Sequence, residues 1–395
     1  SAALQRLHQI LTSDTKSSTL VLVPQISLAE PYKKYLRQVN LPSSQRVTIQ
    51  TMSSIVRRMV ALFWPLVASH KFFMHPFEQP RFLTLETAQY YMAQIVDPLI
   101  DRGHFATITL TRNRLFSQLL DNLNKSAIVG FPHTELAQRL KSAWTGDQAQ
   151  LTVYDDVQLA VNAFRAFCLE NSLLDFSLQV EVFLEAVWPN ETFQKYFQNQ
   201  YQHLIYDNAE EDPPYVHDIV GSWIKNLQSS LIILDEGGGL RSFLGADPLS
   251  AEKLAGQSTS MLRFEQNYVS PLAIKALLGY MQTPQSKNPP FSTISQALVV
   301  TNKQPRFFPE LLQDISKEIV GLILEGTPAE EIVVLSPFVS DPLVFELSRR
   351  LSKSGIPTQS LRPSLALKSN PHTQAILTLA SLAHPEWNQP PDLYQ

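Results

Sequence analysis

The chain has 395 residues, 44% of them hydrophobic and 17% charged, enough for roughly two to four domains that each bury a core, and too apolar for a disordered chain. Its formal net charge of −4 argues against indiscriminate coating of nucleic acid, although local basic grooves remain compatible with it. No apolar run approaches the roughly 20 residues that span a bilayer and no signal-peptide pattern opens the chain, which predicts a cytoplasmic protein with no membrane partner.

The first segment, AALQRLHQIL, places Leu4, Leu7 and Leu11 at helical spacing, and TLVLVP (19–24) reads as a short buried strand ended by Pro24. A helix over about 27–38 follows, then RVTIQT (46–51), where Val47 and Ile49 alternate as in a strand. The next helix, SSIVRRMVALF, begins after Thr51 with Ser53 as its expected N-cap. This strand–helix–strand–helix order predicts a parallel sheet with crossover helices.

From about 84 to 188 the pattern is helical throughout. Leu85, Ala88, Met92, Ile95 and Leu99 mark one apolar face, Leu115, Leu119 and Leu123 a second, and Val153, Val157, Val161, Phe164 and Phe167 a third. Cys168, the single cysteine, falls in the last of these helices; it excludes a disulfide framework or a cysteine-rich metal site within the chain, and a buried thiol is expected. Strands resume at HLIYD (203–207) and LIILD (231–235), with a helix after Pro214 and another over about 271–282. The Pro/Ser/Gln-rich stretch 283–296 reads as a linker. Beyond it, QALVVT (296–301), a helix over 308–325, EIVVLSP (331–337) and a helix over 342–353 predict a second α/β unit, with a last helix near 371–383.

Two apolar strands end in an acid, LIYDNAEED (204–212) and LIILDEGGG (231–239). Ligands of open parallel sheets bind at the carboxyl ends of strands, so Asp207 and Asp235 are candidates for a polar crevice, where a carboxylate could hold Mg²⁺ beside a triphosphate. Aspartate also begins turns for purely structural reasons. His203 and His217 show no metal-ligand spacing.

The order of segments resembles the superfamily 1 DNA helicases of the UvrD/RecB/AddB kind. LLDFSLQVEVFLEAV (173–187) is similar to the segment before the Walker B strand, and HLIYDNAEEDPPYVHDIV to motif II, "vlvDEaQD". LDEGGGLRSFLGADP (234–248) resembles motif III, matching Phe243, Gly245, Ala246 and Asp247, and FEQNYVSP (264–271) resembles motif IV, keeping Asn267, Tyr268 and Ser270. LVLVPQISLAEPYKKYL and RVTIQTMSSIVRRM resemble motifs Ia and Ib, the latter with Thr51 and Ser53 retained, and 331–359 resembles the opening of a second motor domain. The resemblance implies an α/β fold of RecA-like, P-loop NTPase-type parallel-sheet domains with an inserted all-helical subdomain. The expected divisions are the first RecA-like domain at 1–80 and 176–285, the insertion at 81–175, and an incomplete second RecA-like domain at 296–395.

Departures from the family fall on the hydrolytic groups. A P-loop, GxxxxGK followed by Ser or Thr, is absent, and no glycine precedes Gly103 from which to build one. The motif II pair is Asp207–Asn208, and asparagine cannot take the proton role of the usual glutamate; Glu210 and Glu211 stand nearby, displaced. The γ-phosphate-sensing glutamine falls on Gly238, the base-stacking aromatic on Arg241, and the motif IV arginine on Val269. The resemblance therefore implies nucleotide contact at Asp235, Gly238, Asn267 and Tyr268, Mg²⁺ at Asp207, and DNA contact at Gln25, Ser27, Thr51, Ser53, Arg241 and Phe243, with basic help from Lys33, Lys34, Arg57 and Arg58. ATP and Mg²⁺ belong to a full-length protein, and neither is expected tightly bound to this chain. The expected function is single-stranded or duplex-end DNA binding in repair or recombination by an inactive motor fold, alongside a second helicase or nuclease subunit. The alternatives are a working helicase completed by other segments, a protein-interaction scaffold, and an unrelated enzyme using Asp207 and Asp235 as a carboxylate pair.

Overall fold

A computed structural model describes residues 2–13, 17–39, 46–68, 73–146, 151–264, 270–282, 291–298, 305–360, 371–384 and 386. The chain divides into two compact units, Ser1–Arg263 and Phe264–Gln395. The expected motif IV residues Asn267 and Tyr268 lie outside the described residues.

The first unit is α/β. Strands β1 (Ser18–Leu22), β2 (Arg46–Gln50), β5 (His203–Tyr206) and β6 (Ser229–Ile232) form a four-stranded sheet in the order β2-β1-β5-β6, and every pairing is parallel. Thr19 pairs with both Val47 and His203, and Leu204 with Ser230. The central strands are apolar on both faces because both faces are covered. Leu20, Leu22, Leu204 and Tyr206 point into one core; Val21, Val23 and Ile205 point into the other.

On the second face lie helix α1 (Ala2–Ser13), through Ala3, Leu7, Ile10 and Leu11, and helix α2 (Glu30–Gln38), through Tyr32. On the first face lie α3 (Met52–Val67) and α10 (Pro214–Trp223). The buried residues of α3, from Met52 through Ile55, Val56, Met59, Val60 and Phe63, recur at helical spacing along one stripe. Its N-cap is Thr51, not the expected Ser53: Thr51 has extended backbone (φ −90°, ψ 156°) and its hydroxyl accepts from the Ser54 N–H at 3.3 Å. Ser53 already lies inside the first turn, whereas an N-cap keeps non-helical backbone.

Between β2 and β5 the chain runs through helices α4 (Leu85–Asp101), α5 (Arg112–Val129), α6 (Leu136–Ala143) and α7 (Thr152–Glu170). A two-stranded parallel ribbon of β3 (Arg81–Phe82) and β4 (Leu173–Leu174) closes this excursion at its base. Buried Arg165 of α7 reaches Asp175 (3.1 Å), Ser177 Oγ (2.9 Å) and Glu181 (2.8 Å), while Asp175 caps α8 (Phe176–Val182), so one guanidinium ties the excursion to the chain returning to the sheet. Burial pushes the Glu181 carboxyl up to about 7, against the pull of Arg165, and lowers His133 beside it to about 4. Cys168 is fully buried in α7, as its surroundings predict, and burial raises its thiol well above the ordinary value, which leaves it unreactive. Helix α9 (Glu191–Gln200) then packs Phe193 and Phe197 in stacked contact, 5.2 Å between centroids.

The second unit is helical among its described residues: α11 (Leu272–Gln282), α12 (Phe291–Ile294), α13 (Phe308–Leu324), α14 (Asp341–Ser352) and α15 (Pro371–Ala383). The strand expected over 331–337 is not formed; residues 329–331 make a single 3₁₀ turn and 332–336 carry no ladder. A strand needs a partner, and its expected neighbour at 296–301 is a turn up to Leu298 and thereafter lies outside the described residues. Val333 and Leu335 are accordingly exposed. No helix among the described residues is long and apolar enough to cross a membrane.

Candidate functional site at the carboxyl edge of the sheet

The carboxyl ends of all four strands meet at one edge, and the chain leaving each carries expected site residues. Gln25 and Ser27 follow β1, and Thr51 and Ser53 follow β2. Asp207 and Asn208 follow β5; Asp235, Gly238, Arg241 and Phe243 follow β6. From β1 the chain steps to β2 on one side and then returns to β5 on the other, which makes the carboxyl edge beside β1 a topological switch point.

Asp207 extends β5 by one residue, its N–H donating to Leu22 O at 3.0 Å. Its Oδ2 accepts a 2.5 Å hydrogen bond from the buried Tyr32 hydroxyl of α2. Burial and the Asp207 carboxylate hold the Tyr32 phenol far above its ordinary value, so tyrosine is the donor. Asn208 adopts left-handed backbone, φ 53° and ψ 47°, a conformation asparagine tolerates and glutamate does not favour. The backbone at this position thus suits the residue that occupies it.

The remaining acids of the run build the neighbouring loop. Glu210 is buried, its Oε2 accepting from the Asp235 N–H at 3.2 Å, and burial raises its carboxyl above the ordinary range. Glu211 accepts from three successive backbone donors: Gly239 and Leu240 N–H on Oε1, each at 3.1 Å, and Arg241 N–H on Oε2 at 3.2 Å. Successive amides of this kind form a concavity that suits an anion, and here the anion is the chain's own carboxylate. Asp212 is buried, accepts from the Tyr206 hydroxyl at 2.9 Å, and is pushed up to about 7 by that burial. Behind the run, His217 of α10 donates Nε2–H to Ala209 O (2.8 Å) and accepts from Ser250 Oγ (2.5 Å), which fixes the loop to the helix. Burial lowers the imidazole, consistent with this neutral tautomer.

Gly238 and Gly239 permit this closure. A Cβ on Gly238 would lie 2.8 Å from Glu210 Cγ, so a glutamine there is incompatible with buried Glu210. Gly239 has φ +78° and a Cβ on it would lie 2.1 Å from Pro248 Cγ.

The oxygens of these carboxylates are largely engaged within the chain. Magnesium takes about six oxygens in a near-octahedral shell, whereas Asp207 gives one oxygen to Tyr32 and Glu210 and Glu211 face backbone N–H groups. Among the described residues no group of three His, Cys, Asp or Glu is placed to hold a metal ion.

The residues expected to touch DNA divide. Gln25 and Ser27 are exposed, and Phe243 is 73% exposed on the turn after Arg241. The Thr51 hydroxyl is engaged as a cap and the Ser53 hydroxyl reaches Tyr215. Arg241 is held by its backbone on Glu211, with its charge acting on buried Asp212. Arg57 lies over the Phe82 ring (5.0 Å), and Arg58 donates to the Tyr201 hydroxyl (2.7 Å). Tyr201 precedes β5, so Arg58 points toward the amino end of the sheet, away from Asp207. Sequence reasoning missed Tyr32 and the loop-building roles of Glu211 and Asp212. For Glu211 a signal existed: three glycines after a strand leave free amides, and an acid run precedes them.

No protein-family profile matches this sequence, and no curated protein matches it.

Proposed function

We propose that residues 1–263 are a RecA-like domain of the superfamily 1 helicase kind, kept as a grip for single-stranded DNA without ATP hydrolysis. The observation that carries this reading is the state of the acids after β5. Asp207, Glu210, Glu211 and Asp212 all accept hydrogen bonds from this chain's own tyrosines and backbone amides. A motor needs such groups facing a triphosphate. The recruitment of the motif II and motif III positions into one closed loop leaves exposed Gln25, Ser27 and Phe243 on the same edge as contacts for a strand.

Sheet connectivity supports the RecA-like part of the reading. The step β1 to β2 runs through α2 on one face, while β2 to β5 and β5 to β6 step the opposite way with α3 and α10 on the other face. That correlation of face and direction is the right-handed crossover rule. Leu231, Ile232, Ile233 and Leu234 alternate between the two cores, as in a parallel sheet covered on both faces.

In a cell the partners implied are single-stranded or duplex-end DNA and a second helicase or nuclease subunit that supplies the work. The scaffold reading has one observation in its favour, the exposed apolar run of Leu240, Phe243, Leu244 and Leu249. Fluorescence anisotropy of a labelled oligothymidylate across a salt series separates the two: DNA binding gives affinity that falls steeply with salt. A scaffold gives no binding at any salt.

A further inference from the structure

Beside the sheet edge, helix α5 ends at Gly130 and the chain folds back through Phe131 into α6, while the turn Ser242–Leu244 approaches from the other side. Gly245 closes the approach: its φ is +95°, and a Cβ there would lie 2.3 Å from Ile128 Cδ1. Between these elements is a cavity of about 330 Å³, within the lower range of small-molecule sites. Its floor is apolar, with Ile128 and Leu136 buried. One wall is the Phe131 ring with the Arg139 guanidinium 4.2 Å from its centroid. Arg139 does not swing free, since its Nε and Nη2 both donate to Glu135 Oε2 at 3.0 and 2.8 Å. At the rim stand the Asn122 amide and Lys125, which has no acidic partner within 4 Å among the described residues. Phe243 projects from the turn that forms the opposite lip.

We propose that this cavity holds one nucleotide of a bound single strand. The base lies in the apolar slot against the Phe131–Arg139 plate, and the adjoining phosphate lies on Lys125. This inference rests on the proposed function and adds to it a site built between the helical excursion and the turn after β6. The chemistry is specific to a flat, uncharged ring carrying a nearby anion. The slot is apolar and walled by a fixed plane, the one unpaired charge at its mouth is a cation, and Asn122 offers both a donor and an acceptor to a base edge. An apolar peptide side chain would leave Lys125 unused.

The test is anisotropy of labelled oligothymidylate with the whole chain and two variants, repeated on an oligomer bearing abasic sites. Lys125→Ala, a surface change, is expected to weaken binding several-fold and to reduce the salt slope by about 0.7, the value for one phosphate contact on a single strand. Leu140→Trp, which fills the slot, is expected to cost about ten-fold, the scale of one base stack, at unchanged salt slope. It should also abolish part of the difference between intact and abasic oligomers. Hydrogen exchange across α5 and α6 reports whether Leu140→Trp keeps the fold, and Lys125→Ala stands if it does not. Wild-type binding that neither variant alters overturns the cavity assignment while leaving the grip intact. No binding by the wild type overturns both.

Discussion

Glu211→Ala tests whether the carboxylate builds the glycine loop. The side chain accepts from three amides, of which Leu240 is exposed and gains water in exchange, whereas Gly239 and Arg241 are partly buried. A hydrogen bond to a charged group contributes about 1.5–3 kcal/mol net, and Glu211 is itself only half-buried, so two such bonds predict a loss of about 3 kcal/mol. Urea unfolding followed by emission of the first unit's Trp64, Trp144, Trp188 and Trp223 reads this as a midpoint lowered by about 1 M. Glu211→Gln retains an acceptor without the charge and falls about midway between wild type and alanine. Hydrogen exchange localises the effect, with the Gly239 and Arg241 amides losing protection first. A Glu211→Ala midpoint within about 0.2 M of wild type would refute the role assigned to this carboxylate.

Three further outcomes follow from the same contacts. Asp212 is pushed up to about 7 by burial, so the native state holds a proton that the unfolded chain releases near pH 4. The resulting stability is complete below about pH 4 and is lost as pH rises toward about 7. Asp212→Asn keeps an acceptor for Tyr206 and should flatten the unfolding midpoint between about pH 5 and pH 8; an unchanged slope would contradict the assignment. Gly239→Ala combines φ +78° with a 2.1 Å approach to Pro248 and should cost about 2 kcal/mol or more in urea unfolding. Arg165→Met leaves buried Asp175 without its guanidinium; a loss of about 3–5 kcal/mol is expected by the same assay, and a neutral result would show that the ion cluster does not hold the helical excursion.

The central strands were legible because a run such as Leu20–Val23 or Leu204–Tyr206 has few other uses, and the helices of the excursion because their apolar residues recur at one period. Strand ends then located Asp207 and Asp235 without any structure. What the sequence could not convey were ties between distant residues: Tyr32 and Asp207 are 175 positions apart, and Glu211 lies 28 before Gly239. The cap of α3 moved from Ser53 to Thr51 because capping depends on which residue keeps extended backbone, a choice that two neighbouring hydroxyl residues leave open. EIVVLSP has the composition of a strand but pairs with none among the described residues, since composition states only a preference. Arg57 and Arg58, expected as basic help to DNA contact, have partners in Phe82 and Tyr201 that no local pattern of the sequence signals.

The most direct measurement of the central claim pairs two readouts on one sample of the protein in its full encoded length: salt-dependent binding of single-stranded oligothymidylate, and ATP turnover with and without that strand. The account predicts binding that weakens as salt rises and no turnover in either condition, because the acids at the strand ends are engaged internally. Strand-stimulated turnover that disappears in Asp207→Ala would contradict it and make the protein a working motor.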